Sequence, residues 1–153
     1  MSSKDVYYTY GPSGGIGGNA FYVAWPPNAF KITRVWGKSG SRINQIGLDW
    51  STVDGIVQAG PFGGDGGSDF SFPIGAGDYL TQILGTVGER NDSVRVFSLK
   101  FITQNGKESD TFGTATEYQF TYVAPPGYQI SWIFGRADTE LDALGVAIVP
   151  IGT

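Results

Sequence analysis

The chain has 153 residues, 24 of them Gly, with 10 Phe, 8 Tyr and 4 Trp, and it contains neither Cys nor His. Charged residues make up 16%, and 14 acidic against 10 basic side chains leave a net charge of −4. Disulfides, thiolate nucleophiles, iron–sulfur clusters and every triad or metal site built on thiolate or imidazole are thereby excluded.

The length suits one domain, taken as residues 1–153, and the aromatic content suits a packed core rather than a disordered chain. Lys and Arg are scattered, as in Lys31/Arg34, Lys38/Arg42 and Arg90/Arg95. Nucleic acid and anionic lipid, which ask for a basic patch, are not expected partners. Along the chain, Met1-Ser2-Ser3-Lys4-Asp5 is followed by no apolar signal-like stretch, and no run approaches a membrane span. The expectation is a protein that is cytoplasmic, or exported by a route without a signal peptide, and not inserted in a membrane.

Strand-length apolar or alternating segments come next: Val6–Tyr10, Ala20–Trp25, Arg42–Trp50, Val94–Thr103, Glu117–Val123, Gln129–Phe134 and Leu144–Ile151. Gly, Asn, Asp and Pro bound them, and helix signals are poor, so the fold class is all-β with many short strands. Trp36, Trp50 and Trp132 fall in strand segments and are expected in the core; Trp25, before Pro26-Pro27, is less easily placed.

Internal repetition is the stronger signal. Gly11-Pro-Ser-Gly-Gly-Ile-Gly-Gly-Asn-Ala-Phe21 returns as Gly60-Pro-Phe-Gly-Gly-Asp-Gly-Gly-Ser-Asp-Phe70, with the phenylalanines 49 residues apart. Phe120 ends a third copy, Thr111–Phe120, that has lost most of its glycines. In step with these, Val35-Trp-Gly-Lys-Ser-Gly-Ser-Arg-Ile-Asn-Gln-Ile-Gly-Leu48 matches Ile133-Phe-Gly-Arg-Ala-Asp-Thr-Glu-Leu-Asp-Ala-Leu-Gly-Val146, with a looser copy at Ile83–Leu99. The repeats run roughly 9–58, 59–108 and 109–153, and three units too small to bury their own apolar faces predict a pseudo-threefold β architecture.

The succession GGxGGxxF, then Ser98-Leu-Lys-Phe-Ile-Thr103, then Phe134-Gly-Arg and Leu141-Asp-Ala-Leu-Gly145, resembles the jacalin-related lectins over about Tyr8 to Pro150. The resemblance implies a β-prism of type I: three four-stranded antiparallel Greek-key sheets around a pseudo-threefold axis. It implies reversible sugar binding of the mannose-binding type, with no catalysis, metal or other cofactor. The partners would be mannose- or glucose-containing oligosaccharides or glycoproteins. In that family galactose preference often accompanies a chain cut just before the binding glycine, and this chain runs on uncut.

Carried over residue by residue, the binding glycine is Gly18, the acidic acceptor of the G-x-x-x-D turn is Asp142, and the backbone donors are Thr139 and Glu140. The first Gly of that turn is replaced by Asp138. If the position needs a positive φ, Asp tolerates it better than most residues, and its carboxylate adds an acceptor or an unfavourable charge. A possible second site joins Gly67 to the turn carrying Ser41, Arg42 and Asn44, where Asn replaces the Asp. The third unit, without its glycines, is expected to be closed.

The chemistry suits a sugar. An ionised Asp accepts from two vicinal hydroxyls, turn N–H groups donate at fixed positions, and Gly lets backbone approach the ring. One monosaccharide would bind only on the order of millimolar, so avidity calls for several sites or a homo-oligomer, with a dimer favoured.

Competing interpretations are weaker. Gly15-Ile-Gly-Gly-Asn-Ala20 fits a dinucleotide loop formally, but Phe21-Tyr-Val-Ala-Trp-Pro-Pro27 cannot open the helix it needs. Gly63–Asp69 lacks the tandem nine-residue repeat of calcium-binding arrays. Paired glycines can also serve tight turns alone. Asp138, Glu140 and Asp142 could form an acid–base pair of a small glycosidase, a hard-cation site, or solvated loop charges. A structural or targeting module of the same fold, with a degenerate sugar site, is the alternative function.

Overall fold

The computed structural model describes residues 7–26 and 28–152. Met1–Asp5 and Val6, the first residue of the first predicted strand, lie outside the described residues, as does Pro27. Among the described residues there is no helix. Twelve strands follow one another: β1 (Tyr8–Gly14), β2 (Asn19–Tyr22), β3 (Ala29–Ser39), β4 (Ile43–Thr52), β5 (Gly55–Gly63), β6 (Ser68–Pro73), β7 (Leu80–Arg90), β8 (Ser93–Thr103), β9 (Phe112–Gly113), β10 (Tyr118–Val123), β11 (Tyr128–Ala137) and β12 (Leu141–Pro150).

They form three four-stranded sheets, ordered β1-β12-β11-β2, β5-β4-β3-β6 and β10-β7-β8-β9. Every pairing is antiparallel. In the second and third sheets, three consecutive strands lie side by side and the fourth returns beside the first, a Greek key. The first sheet has the same order only when the chain is read across its two ends, since β1 and β2 complete a sheet begun by β11 and β12.

The register shows how the three sheets correspond. Gly37, Gly85 and Gly135 stand opposite Phe70, Phe120 and Phe21 on one neighbouring strand. On the other they stand opposite Ile46, Leu99 and Leu144. At Gly85 a Cβ would meet the Phe120 ring at 2.1 Å, so the absence of a side chain is what lets the aromatic lie across the strand.

The inward faces meet in a core that includes Ile32, Val35, Leu48 and Trp50 of the second sheet. Ile83, Leu99 and Phe101 join it from the third, and Ile130, Ile133, Leu144 and Val146 from the first. Along β6 the period-two pattern is clean, with Phe70 and Phe72 buried between exposed neighbours. The Trp50 indole N–H reaches across to the Ser131 carbonyl at 2.6 Å, tying two sheets together inside the core. Trp50 and Trp132 are buried as expected, but Trp36 is not. It stands on the face opposite Val35, half-buried over Gly47, with its N–H donated to Asp49 at 2.9 Å.

Candidate functional site

The β3–β4, β7–β8 and β11–β12 turns lie at one end of the prism, and two of the three glycine-rich loops fold over it. Counting outward from Ile46, Leu99 and Leu144 makes Asn44, Phe97 and Asp142 equivalent, and likewise Arg42, Arg95 and Glu140. Backbone hydrogen bonds repeat the correspondence. Gly15 N–H donates to the Asp142 carbonyl at 2.8 Å, Gly64 to Asn44 at 3.0 Å, and Thr114 to Phe97 at 2.9 Å.

In the first sheet the predicted residues come together. Asp142 lies inside β12, which begins at Leu141, three residues earlier than expected. Its carboxylate faces the loop: a Cβ on Gly17 would stand 2.9 Å from Oδ2, and one on Gly18 2.7 Å from Oδ1. Gly18 has φ +69° and the Ala137 carbonyl carbon would be 2.8 Å from its Cβ, so a side chain is excluded there twice over. Arg136 braces the loop by donating Nε–H to the Gly17 carbonyl and an Nη2–H to that of Gly18, each at 2.9 Å. From the other side, Gly64 of the second loop packs against the Thr139 carbonyl.

Asp142 is only 4% exposed, and its Oδ1 has no hydrogen-bond partner among the described residues. Buried polar atoms are nearly always paired, so an orphan acceptor at the mouth of a loop points to a missing donor. Burial pushes its pKa above the usual carboxylate value; the Arg95 charge opposes this, Asp138 and Glu140 add to it, and Arg136 opposes it again.

The turn itself is closed by Asp138 N–H donating to the Glu140 carbonyl at 3.1 Å, as Gly40 N–H donates to Arg42 at 3.0 Å. Neither Asp138 nor Gly40 has a positive φ. The turn therefore needs no glycine at its first position, and Asp138 enters without backbone strain. Asp138 and Thr139 are exposed, and Glu140 is half-buried.

The Glu140 side chain is not a solvated loop charge. Arg42 donates to both its oxygens, Nε–H to Oε1 at 2.5 Å and Nη2–H to Oε2 at 2.9 Å, and Arg95 Nη1 stands 3.6 Å from Oε1. The Arg42 hydrogen bonds hold the Glu140 carboxyl below its usual pKa against the opposing effect of burial. Nothing in local spacing announces this contact between residues 98 apart. Among the described residues no group of three or more carboxylates is arranged to hold a metal ion.

The second sheet repeats the arrangement in neutral form. Gly66 and Gly67 (φ +80°) wrap Asn44, whose amide nitrogen and oxygen would meet their Cβ atoms at 2.8 and 2.7 Å. Ser41 is exposed on the turn, whereas the Arg42 guanidinium is turned away to Glu140. Gln45 braces this loop, donating to the Gly64 carbonyl at 2.9 Å. In the third sheet Phe97 stands where the acceptor would be. Thr116 ties that loop down, with its N–H on the Thr86 hydroxyl at 3.1 Å and its hydroxyl on the Val87 carbonyl at 2.5 Å.

Three Greek-key sheets about a pseudo-threefold axis, with glycine loops folded over acceptor-bearing turns at one end, define a β-prism lectin. The jacalin-like lectin domain model matches residues 10 to 147, and the chain belongs to that family. Horcolin from Hordeum vulgare is 33% identical over 142 residues, covering 92% of this chain and 95% of that protein. The jacalin-related lectin Calsepa from Calystegia sepium is 32% identical over 142 residues, 88% of this chain and 90% of that one. Among solved structures, a mannose-binding jacalin-related lectin from Ananas comosus superposes with a TM-score of 0.84 at 25% identity, covering 94% of this chain and 98% of that one. Membership makes the chain a carbohydrate-binding protein and not an enzyme, which removes the glycosidase reading of Asp138 and Asp142.

Proposed function

We propose that the chain binds mannose- or glucose-type glycans, without metal, at the site formed by Gly18, Thr139, Glu140 and Asp142, with Asp138 on its rim. The observation that carries this is the buried, unpartnered Oδ1 of Asp142 held against Gly17 and Gly18. An ionised carboxylate there accepts from sugar hydroxyls, and the turn amides of Thr139 and Glu140 supply the donors. Specificity is supported by kinship: the Parkia platycephala relative, 31% identical over 106 residues, is a mannose/glucose-specific lectin, and the Ananas protein is mannose-binding. Only 22% of the Parkia protein is covered, so it speaks for the domain alone.

Gly67, Ser41, Arg42 and Asn44 form a second, weaker site, with Asn44 as acceptor and Arg42 contributing backbone only. Avidity then comes from two sites per chain and from a homo-oligomer, a dimer in the simplest case, checked by sedimentation. The functional test is titration of a mannotriose into wild type and Asp142→Asn. Saturable binding by wild type, strongly weakened in the variant, supports the site. Equal binding, or binding of galactosides alone on a glycan array, rejects it. If neither protein binds any glycan, the fold serves as an interaction module. Asp138 is the observation that favours that outcome, because it sets a second carboxylate beside Asp142.

A further inference from the structure

The turn 138–142 has little of its own to hold it: one internal backbone hydrogen bond, and an exposed Asp138 and Thr139. It also carries three carboxylates within five residues, Asp138, Glu140 and Asp142. Left alone, such a turn repels itself and frays. What opposes this is a cluster at the pseudo-threefold axis, where the equivalent residues Arg42, Arg95 and Glu140 converge from the three turns. Their side chains are 18, 18 and 13% exposed, so the cluster is largely shielded from solvent. The Arg42 fork grips both Glu140 oxygens, and its guanidinium lies 5.8 Å from the centre of the Phe97 ring. Phe97 is the residue that closes the third site, and it here serves as a platform for the cation that supports the first.

We propose that Arg42 is a positioning residue for the Asp142 site, acting across the pseudo-threefold axis through the Glu140 carboxylate to hold the 138–142 turn against Gly17 and Gly18. This rests on the reading of that turn as a glycan site. Arg95 adds to the neutralisation: its Nη1 stands 3.6 Å from Glu140 Oε1, and its charge acts on both Glu140 and Asp142. Because Arg42 belongs to the turn that carries Asn44, the two candidate glycan sites share one mechanical support. Two like-charged arginines and one glutamate at equivalent positions could not be assembled by any symmetric sequence. Glu140, where the other two copies carry Arg, is what makes the cluster attractive rather than repulsive.

The test has two arms on isotope-labelled full-length protein: wild type, Arg42→Gln and Arg42→Lys. Without sugar, amide shifts and hydrogen exchange of residues 138–142 are compared with those of Tyr79 and Asn105, whose N–H groups donate to the Asp78 carboxylate at the far end of the prism. Arg42→Gln is expected to move and deprotect the 138–142 amides while the far end is unchanged. With methyl α-mannoside, affinity is expected to fall about tenfold in Arg42→Gln, as for loss of a charged hydrogen-bonding partner, and by about threefold in Arg42→Lys, which keeps charge but not the fork. If Arg42→Gln does not fold, Arg42→Lys carries both arms. Unmoved 138–142 amides, or unchanged mannoside affinity, overturn the proposal. If wild type binds no mannoside, the glycan reading fails, and the exchange arm still decides whether Arg42 holds the turn.

Discussion

The Asp142 and Asn44 sites are the same construction with one atom type changed. In each, the second residue of the second strand of a hairpin is clasped by two glycines, and the glycine nearer the turn has positive φ. In each, the turn is closed by one backbone hydrogen bond of nearly equal length, 3.1 and 3.0 Å. The differences lie in charge. Asp142 is a buried carboxylate with an unpartnered oxygen, whereas Asn44 is a half-buried neutral amide. The Asp142 loop is braced by a forked arginine, the Asn44 loop by the amide of Gln45. Geometry alone therefore leaves two candidate sites alike, and electrostatics ranks them, since an ionised acceptor makes the stronger hydrogen bonds.

The ranking can be broken at its strongest point first. Asp142→Ala removes the charged acceptor, and mannotriose affinity at the first site is expected to fall on the order of a hundredfold by calorimetry, leaving a weak residue of binding at Asn44. Gly18→Ala and Gly67→Ala each force a side chain into a positive-φ position against backbone carbonyls, at Ala137 and Ser39. Each should cost about 1–3 kcal/mol of stability in urea unfolding, but only Gly18→Ala should remove most of the binding.

Asn44→Asp sharpens the comparison from the other side, making the second acceptor ionic. About a tenfold gain at that site is expected, read as a second saturable step in the titration. The smallest effect concerns pH. Binding uses ionised Asp142, whose pKa is raised by burial and by Asp138 and Glu140 against the pull of Arg95 and Arg136. Affinity should therefore fall on acidification at a higher pH than for an ordinary carboxylate. The Asn44 site has no carboxylate acceptor to lose. Asp138→Gly, which matches Gly40, should move that acid limb to lower pH and change affinity at neutral pH by no more than about threefold.

The parts of the two candidate sites were largely legible in the sequence because they are local. Glycine pairs before Phe21 and Phe70, and the Leu141-Asp-Ala-Leu-Gly145 run, sit at fixed offsets that the fold preserves. The strand list was less complete. β5 carries Gly60-Pro61 and exposed Ile56 and Val57, so neither its composition nor its burial reads as a strand. The long β3 and β7 hairpin strands were seen only as repeat elements, because bulges interrupt their alternation. The Arg42–Glu140–Arg95 cluster had no sequence signal. Its members come from three separate repeats, meet only around the axis, and differ in sign where the repeat suggests sameness. Phe97 was hidden for a related reason: the middle copy has diverged too far in sequence, and only the strand register identifies it as the counterpart of Asp142.

The most direct test of the central claim is an amide-resolved titration of the labelled protein with methyl α-mannoside. Gly17, Gly18 and the 139–142 amides should shift at the lowest sugar concentrations. Gly66, Gly67, Ser41 and Asn44 should follow only at higher ones, and the Thr114–Glu117 loop beside Phe97 should stay still. Shifts that begin at Asn44, or that appear only away from these loops, would contradict the account.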